Sequence, residues 1–286
     1  MKAEKHIPSC NITPAQNVGT GATRRFLDHP RRSGAVRVAE SVLVTAAALF
    51  LVEIVVRLGF VSSDVFPGIS SIARTLAGQI VTLAFWDVLL ETAIPWAVGL
   101  GMAIAIAVPL GVVLGLSLPA YRTTYLLFEI LRTTPTIAAL PLLVLIFGVG
   151  YQFTIVLVAW TSMWPLLIQT MYGVRDVDPV TIDTAKVYGL NWRRRITQIV
   201  LPSAVPFIAT GMRLASVMAF VVAVAASLLV GGGGLGFAIF SAANAGDVPL
   251  MWARITVAGL VGLALTAALG ATENRMLRWR RSEVVR

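Results

Sequence analysis

Apolar residues fall in six long segments that are separated by shorter polar ones. The segments cover residues 38–60, 88–116, 126–148, 152–174, 204–230 and 251–271. A helix rises about 1.5 Å per residue, so about twenty apolar residues cross the ~30 Å hydrocarbon core of a bilayer. The pattern predicts an all-α membrane protein with six transmembrane helices. A composition of 57% apolar and 13% charged residues, with a mean hydropathy of +0.82, excludes a soluble globular protein.

The remaining residues predict two tails and one surface helix. Residues 1–37 are polar and basic without an apolar period, which predicts a disordered cytoplasmic tail. Residues 275–286 form a second basic cytoplasmic tail, and residues 38–274 form the transmembrane domain. Residues 69–85 are apolar at helical spacing but contain several polar side chains. They predict an amphipathic helix that lies at the membrane surface.

Basic residues set the orientation, because the cytoplasmic flanks of membrane helices are enriched in Lys and Arg. Placing the N-terminus inside puts both tails and the 175–203 loop in the cytoplasm, and only Arg74 then lies in an outer loop away from the span ends. The net charge of +9 is explained by this distribution, so it requires no nucleic acid partner. We therefore expect a multi-pass membrane protein with both termini cytoplasmic.

No sequence pattern indicates a catalytic, metal or nucleotide site. The glycine run 231–236 contains no lysine, and the only lysines are Lys2, Lys5 and Lys186, none in a Walker A context. Both histidines and the only cysteine lie in the N-terminal tail, at positions 6, 29 and 10. We expect the chain to bind no cofactor or metal itself and to lack an ATPase site of its own.

Short patterns inside the spans predict packing. Gly111 and Gly115 are four residues apart and would let another helix approach closely. Glu53 and Arg57 have the spacing of an ion pair on one helix face. Three arginines lie near span ends: Arg132, Arg213 and Arg254. Snorkelling of their side chains to the membrane interface explains these positions, and attraction of an anion is the alternative.

The polar loop 178–203 carries the most specific pattern. Asp178 is a candidate N-cap, with Pro179 at the first helical position, and Gly189 can take the left-handed conformation that ends a helix. A second short helix is predicted from Asn191 to about residue 199, where Pro202 would interrupt it. Without further information this loop is a solvated basic segment that only fixes topology.

The spacing of this loop resembles the EAA motif of ABC-importer permeases, E-A-A-x3-G-x9-I-x-L-P. Every interval is kept, and the departures are Asp183 in place of Glu and Thr184 in place of the first Ala. The matching residues are Asp183, Thr184, Ala185, Gly189, Ile199, Leu201 and Pro202.

Further fragments resemble the nitrate, sulfonate and taurine branch of these permeases, and the resemblance extends from about residue 66 to 279. The fragments are residues 132–135, 141–143, 147–150, 201–206, 210–213 and 233–237. Residues 66–70 resemble the branch's proline-rich entry, although Gly68 departs from its usual pattern.

The resemblance implies a type I ABC importer fold, a location in a bacterial inner membrane and a set of partners. These are two cytoplasmic ATPase subunits that bind ATP and Mg, an extracytoplasmic solute-binding protein and a second copy of the permease in the same bilayer. Asp183 and Gly189 would serve ATPase docking and the geometry of the loop. Ile199, Leu201 and Pro202 would seat the loop on the fifth span, while Thr184 and Ala185 complete the motif.

The sequence gives less support to two other functions. An ion-coupled secondary transporter usually needs acidic residues deep within its spans, whereas Glu53, Glu91, Glu129 and Glu273 lie near span ends. A membrane-embedded enzyme lacks reactive residues. The substrate stays open: a sulfonate, taurine or nitrate is expected, and a heterocyclic, thiamine-precursor-like solute is the alternative.

Overall fold

The computed structural model describes residues 34–60, 62 and 65–276, and these residues form helices and contain no strand. The first part of helix α1, up to Leu51, is a unit distinct from the one that begins at Val52. The helices are α1 (Gly34–Arg57), α2 (Ile69–Ile80), α3 (Leu83–Leu116), α4 (Leu118–Thr133), α5 (Leu140–Phe147), α6 (Tyr151–Arg175), α7 (Pro179–Val187), α8 (Trp192–Arg195), α9 (Leu201–Val230), α10 (Gly234–Asn244) and α11 (Val248–Met276).

Four helical segments in the described part of the chain are long and apolar enough to cross a membrane. They are Leu83–Leu116, Tyr151–Arg175, Trp192–Val230 and Val248–Arg275. A fifth results if the bent pair α4 and α5 counts as one span. The multi-helix, all-α prediction is therefore confirmed, whereas the sixth span, which the sequence places in α1, stays a prediction. The predicted tails lie outside the described residues over 1–33 and 277–286.

The predicted span over residues 126–148 is broken by a bend in the structure. Helix α4 ends at Thr133, a short 3-10 turn covers Thr136–Ala139, and α5 continues at an angle of 79°. The break follows from Pro135, because proline pushes the residue before it out of the helical region, and Thr134 has an extended ψ of 123°. The break is not visible when hydropathy is averaged over the segment.

Helices α3, α6 and α9 form the centre of the fold, and glycine lets α3 and α6 approach closely. A Cβ at Gly111 would lie 2.7 Å from the Cβ of Thr170, and one at Gly115 would lie 2.6 Å from the Cβ of Val174. Real Cβ atoms do not approach so closely, so side chains at these two positions would force the helices apart. The predicted packing role of this glycine pair is confirmed.

Helix α2 is shorter than the predicted segment 69–85, because α3 already begins at Leu83. The carboxylate of Glu53 joins α1 to the start of α2. It accepts hydrogen bonds from the Arg57 Nε at 2.8 Å, as the four-residue spacing predicts, and from the Ser70 hydroxyl at 2.8 Å and amide at 3.2 Å. Glu53 thus satisfies one of the amides that the first turn of a helix leaves unpaired.

The glycine run 231–236 introduces α10, which packs on α3, α9 and α11. The Glu91 carboxylate on α3 accepts from the Gly234 amide at 2.7 Å, and the Thr92 hydroxyl accepts from the Leu235 amide at 2.7 Å. Eleven residues reach only about 16 Å, too short to cross a bilayer. The glycine run is therefore a capped helix start that α3 holds in place.

Candidate functional site

Helix α7 begins as the sequence predicts. The Asp178 carboxylate accepts a hydrogen bond from the Val180 amide at 3.0 Å, and Pro179 occupies the first turn. A carboxylate at this position satisfies an otherwise unpaired amide and lies at the positive end of the helix dipole. The start of α7 is thus fixed by local chemistry.

Gly189 ends α7 with a φ of +71°. The Gly189 amide donates to the Lys186 carbonyl and the Leu190 amide donates to the Ala185 carbonyl, both at 3.0 Å. These two hydrogen bonds form a Schellman motif, which reverses the chain and pairs carbonyls that would otherwise be orphaned. The left-handed conformation is what makes glycine suitable here.

The segment after Gly189 is continuous with the long helix that follows. The Asn191 side chain accepts from the Arg194 amide at 2.9 Å and so caps α8. A π-helical stretch, Ile196–Val200, then connects α8 to α9. Proline lacks a backbone N–H group, and its ring clashes with the preceding helical turn. The wider π turn before Pro202 accommodates both effects. The prediction that Pro202 interrupts the helix is wrong, since helical structure runs from Trp192 to Val230.

An apolar cluster attaches α7 to the ends of α6 and α9. Val174, Val200 and Ala204 are each at most 5% exposed, and Ile182 of α7 packs against them. Ala185 is also buried, at 5% exposure. Because both neighbours are long helices, the position of α7 is coupled to theirs.

The opposite side of the loop is exposed and partly apolar. Val187 is 88%, Tyr188 80% and Trp192 61% exposed, and the Asp183 side chain is 70% exposed. We call Val180, Asp183, Val187, Tyr188 and Trp192 the loop face. Asp183 pairs with the Lys186 Nζ at 2.7 Å. Apolar side chains this exposed on a polar loop are typical of a surface that another protein covers.

The structure distributes the seven residues that match the motif over five environments. Asp183 lies in the loop face, Gly189 forms the turn, and Ala185 is buried. Thr184 and Ile199 line an open hollow between α7 and the π-helical stretch, together with Val180, Tyr188 and Leu190. The last two residues, Leu201 and Pro202, are exposed on the first turn of α9.

Sequence reasoning did not identify two contributions to this site. Val200 and Ala204, rather than Leu201 and Pro202, are the buried contacts between α9 and the loop. Helical spacing from Val200 to Ala204 is the signal that would have found them. The apolar members of the loop face were also missed, because the loop contains other apolar residues, such as Ile182 and Leu190, that are less exposed. Within the described ranges, no cluster of three or more His, Cys, Asp or Glu side chains is arranged to hold a metal ion.

Comparison with known families identifies the chain. Residues 107–278 match the family described as "Binding-protein-dependent transport system inner membrane component". The chain belongs to this family. The match covers the end of α3, α4 to α11 and the whole candidate site, so the predicted resemblance to importer permeases is confirmed. With its several apolar helices, the chain is a multi-pass inner-membrane protein.

Curated relatives include a nitrate import permease protein, NrtB, from Leptolyngbya laminosa, which is 34% identical over 151 residues. The match covers 53% of this chain and 54% of that protein. A putative aliphatic sulfonates transport permease protein, SsuC, from Bacillus subtilis is 32% identical over 54% of this chain and 56% of its own length. A taurine transport system permease protein, TauC, from Escherichia coli is 31% identical, with the same coverage. The chain thus matches about half the length of these relatives.

Solved structures share the fold at low identity. An inward-facing form of the MetNI methionine ABC transporter superposes with a TM-score of 0.61 at 19% identity, over 68% of this chain and 97% of that one. An amino acid ABC transporter crystallised with histidines gives a TM-score of 0.58 at 16% identity, over 70% of this chain and 98% of that one. These superpositions establish an importer-permease fold.

Proposed function

We propose that this chain is the permease subunit of an ATP-driven importer of a small solute. The observation that carries the proposal is the loop face, held by capped helices at the start of the helical segment Trp192–Val230. An exposed apolar surface at the base of such a helix is suited to receive a partner's movement and pass it to the membrane segment. The family to which the chain belongs supports this assignment.

ATPase docking is assigned to the loop face. Val187, Tyr188 and Trp192 offer apolar area, and Asp183 offers a charge that selects the partner's orientation. Closure of an ATPase dimer on ATP and Mg would move α7, and α7 would move α6 and α9 through Val174, Val200 and Ala204. The ATPase contributes hydrolysis and the permease contributes the path.

The complete importer in this proposal contains two copies of this chain, two ATPase subunits and an extracytoplasmic solute-binding protein. The family description, a binding-protein-dependent transport system, supports the last of these partners. The resemblance to type I importer permeases, which implies two permease subunits, is the basis for the second copy.

The proposed topology has six spans with both termini in the cytoplasm, and it rests on the distribution of basic residues. A cysteine introduced at the exposed Thr197, in a Cys10→Ser background, should be protected from an impermeant maleimide added outside the cell. A cysteine at the exposed Asn244 should react. The reverse pattern would overturn the orientation.

The proposed substrate is a small organic or inorganic anion, such as a sulfonate, taurine or nitrate. Relatives named for nitrate, aliphatic sulfonate and taurine transport support this class. The solute-binding protein would contribute most of the selectivity.

The deciding experiment is copurification of the chain with its ATPase after Tyr188→Ser. Tyr188 is 80% exposed in the loop face, so the substitution should leave the membrane abundance unchanged and reduce the recovered ATPase at least fivefold. Tyr151→Ser is the matched control, because Tyr151 is 41% exposed at the opposite end of α6. Equal ATPase recovery with both variants would refute the docking assignment.

A further inference from the structure

A cavity of about 210 Å³ lies between α4 and α6, and no residue of the loop face lines it. Tyr121, Tyr125, Phe128 and Arg132 line it from α4 at intervals of four, three and four residues, which is one helix face. From α6 it is lined by Trp164, Leu167, Met171 and Tyr172, again at helical spacing. The cavity is therefore built by two complementary helix faces.

Aromatic rings form the wall of this cavity. Phe128 and Trp164 are in edge-to-face contact with ring centroids 6.1 Å apart, and Trp164 is only 6% exposed. The Arg175 guanidinium lies 4.0 Å from the Tyr121 ring centroid and donates to the Leu114 carbonyl at 3.0 Å. These contacts fix the floor of the cavity before any ligand arrives.

Polar groups with unused hydrogen-bonding capacity converge on the same space. Three tyrosines line it, and their hydroxyls make no hydrogen bond to any residue that the structure describes; they are Tyr121, Tyr125 and Tyr172. Glu129 and Arg132 lie on the same helix face, with Arg132 Nη2 2.6 Å from Glu129 Oε1 and side chains 40% and 45% exposed. The pair lies near one end of the predicted span 126–148 and lines the cavity, so a polar solute that enters the cavity can contact both charges.

This arrangement discriminates between ligands by charge. A simple anion would have to draw Arg132 away from Glu129 and leave the carboxylate without its partner, at a cost that the partial exposure of both side chains reduces. A zwitterion supplies a cation for Glu129 and an oxyanion for Arg132 together. Because the two side chains are in contact, the ligand's opposite charges must also be close together. Tyrosine hydroxyls can donate to the oxyanion, and aromatic faces suit the ammonium group.

We infer that the cavity between α4 and α6 is a transient substrate site for a small zwitterion that carries an ammonium group and a sulfonate or carboxylate about two carbons apart. This inference rests on the proposed import function and narrows its substrate class toward amino-sulfonates, at the expense of nitrate and simple alkanesulfonates. Arg132 binds the oxyanion, and Glu129 selects the ammonium group.

The test uses the full chain in nanodiscs and two matched pairs of probes. Taurine is compared with ethanesulfonate, and β-alanine with propionate, by equilibrium binding and competition. Each zwitterion should bind at least tenfold more tightly than its partner without the amine, as expected for one charge-assisted contact. Equal affinity within both pairs, or binding of none of the four probes, would overturn the inference.

Three substitutions on α4 assign the contacts. Glu129→Gln should remove the preference for zwitterions by strengthening ethanesulfonate binding, because no carboxylate is then left unpaired when the anion contacts Arg132. Arg132→Gln should weaken the binding of all four probes. Arg122→Gln is the control, because Arg122 is exposed on the same helix and does not line the cavity. An unaltered taurine preference in Glu129→Gln, with thermal stability matched to wild type, would contradict the assigned role.

A phosphatidylethanolamine headgroup carries the same pair of charges two carbons apart, so the lipid composition is varied as well. Taurine affinity should be the same in phosphatidylglycerol discs with and without phosphatidylethanolamine. Weaker binding in its presence would overturn the assignment to a free solute. ATPase copurification tests the proposed function separately, so its failure is distinguishable from loss of the zwitterion preference.

Discussion

The amide of Leu190 donates to the carbonyl of Ala185 at 3.0 Å, across the glycine turn that ends α7. Ala185 is buried against the rest of the domain, whereas Tyr188, between the two, is 80% exposed. One hydrogen bond therefore sets the angle between the attached side of the loop and its exposed side. The orientation of the loop face depends on this turn.

Replacing Gly189 with Val should disorient the loop face. No heavy atom lies within 4 Å of a Cβ built at this position, so the cost of about 1–3 kcal/mol arises from the positive φ and not from a clash. We expect normal membrane abundance with ATPase copurification and solute uptake both strongly reduced. Gly189→Asn is the control, because Asn tolerates the left-handed conformation. Similar behaviour of Val and Asn would show that the turn does not require positive φ.

Replacing Asp183 with Lys should impair assembly without destabilising the chain. The Asp183 and Lys186 side chains are 70% and 56% exposed, and such a pair contributes only about 0.5 kcal/mol or less to folding. The reversed charge should reduce ATPase recovery at least fivefold if Asp183 faces the partner, while the melting temperature stays unchanged. Asp176→Lys, another exposed acid at the end of α6, should assemble normally. Loss of assembly in both variants would indicate a general charge effect.

Replacing Gly111 with Ala should destabilise the contact between α3 and α6. The added Cβ would lie 2.7 Å from the Cβ of Thr170, and overpacking of this kind costs about 1–3 kcal/mol. A lower melting temperature in detergent is the expected result. Gly101→Ala is the matched control on the same helix, because nothing lies within 4 Å of its Cβ position. An equal effect of the two substitutions would argue against the close helix contact.

Replacing Glu91 with Ala should loosen the start of α10. The Gly234 amide would lose its acceptor, and a buried amide without a partner costs about 1–3 kcal/mol. Faster hydrogen exchange across residues 234–244 is the measurement. Glu91→Gln should restore protection, because its carbonyl oxygen can still accept. Unchanged exchange in Glu91→Ala would mean that Thr92 alone holds the helix.

Local chemistry made the loop predictable, since Asp178, Pro179 and Gly189 each act on neighbouring residues only. The glycine pair in α3 was predictable because its four-residue spacing is itself a packing signal, although the spacing did not identify α6 as the partner helix. The break at Thr134 was missed because span detection averages hydropathy and ignores the restriction that one proline imposes. The hydrogen bond from Gly234 to Glu91 joins residues 143 positions apart, and no short-range pattern announces it. The α4 and α6 cavity likewise requires the packing of two distant helices.

The helical segment from Trp192 to Val230 contains 39 residues, which corresponds to about 58 Å along its axis. Gly211 lies midway along it, where an added Cβ would be 2.8 Å from the Cβ of Gln169 on α6. A tilt about this crossing point would move the two ends by equal distances in opposite directions. The two ends of the segment are therefore coupled. Displacement of the Trp192 end toward the neighbouring helices and displacement of the Val230 end away from them would be a single motion.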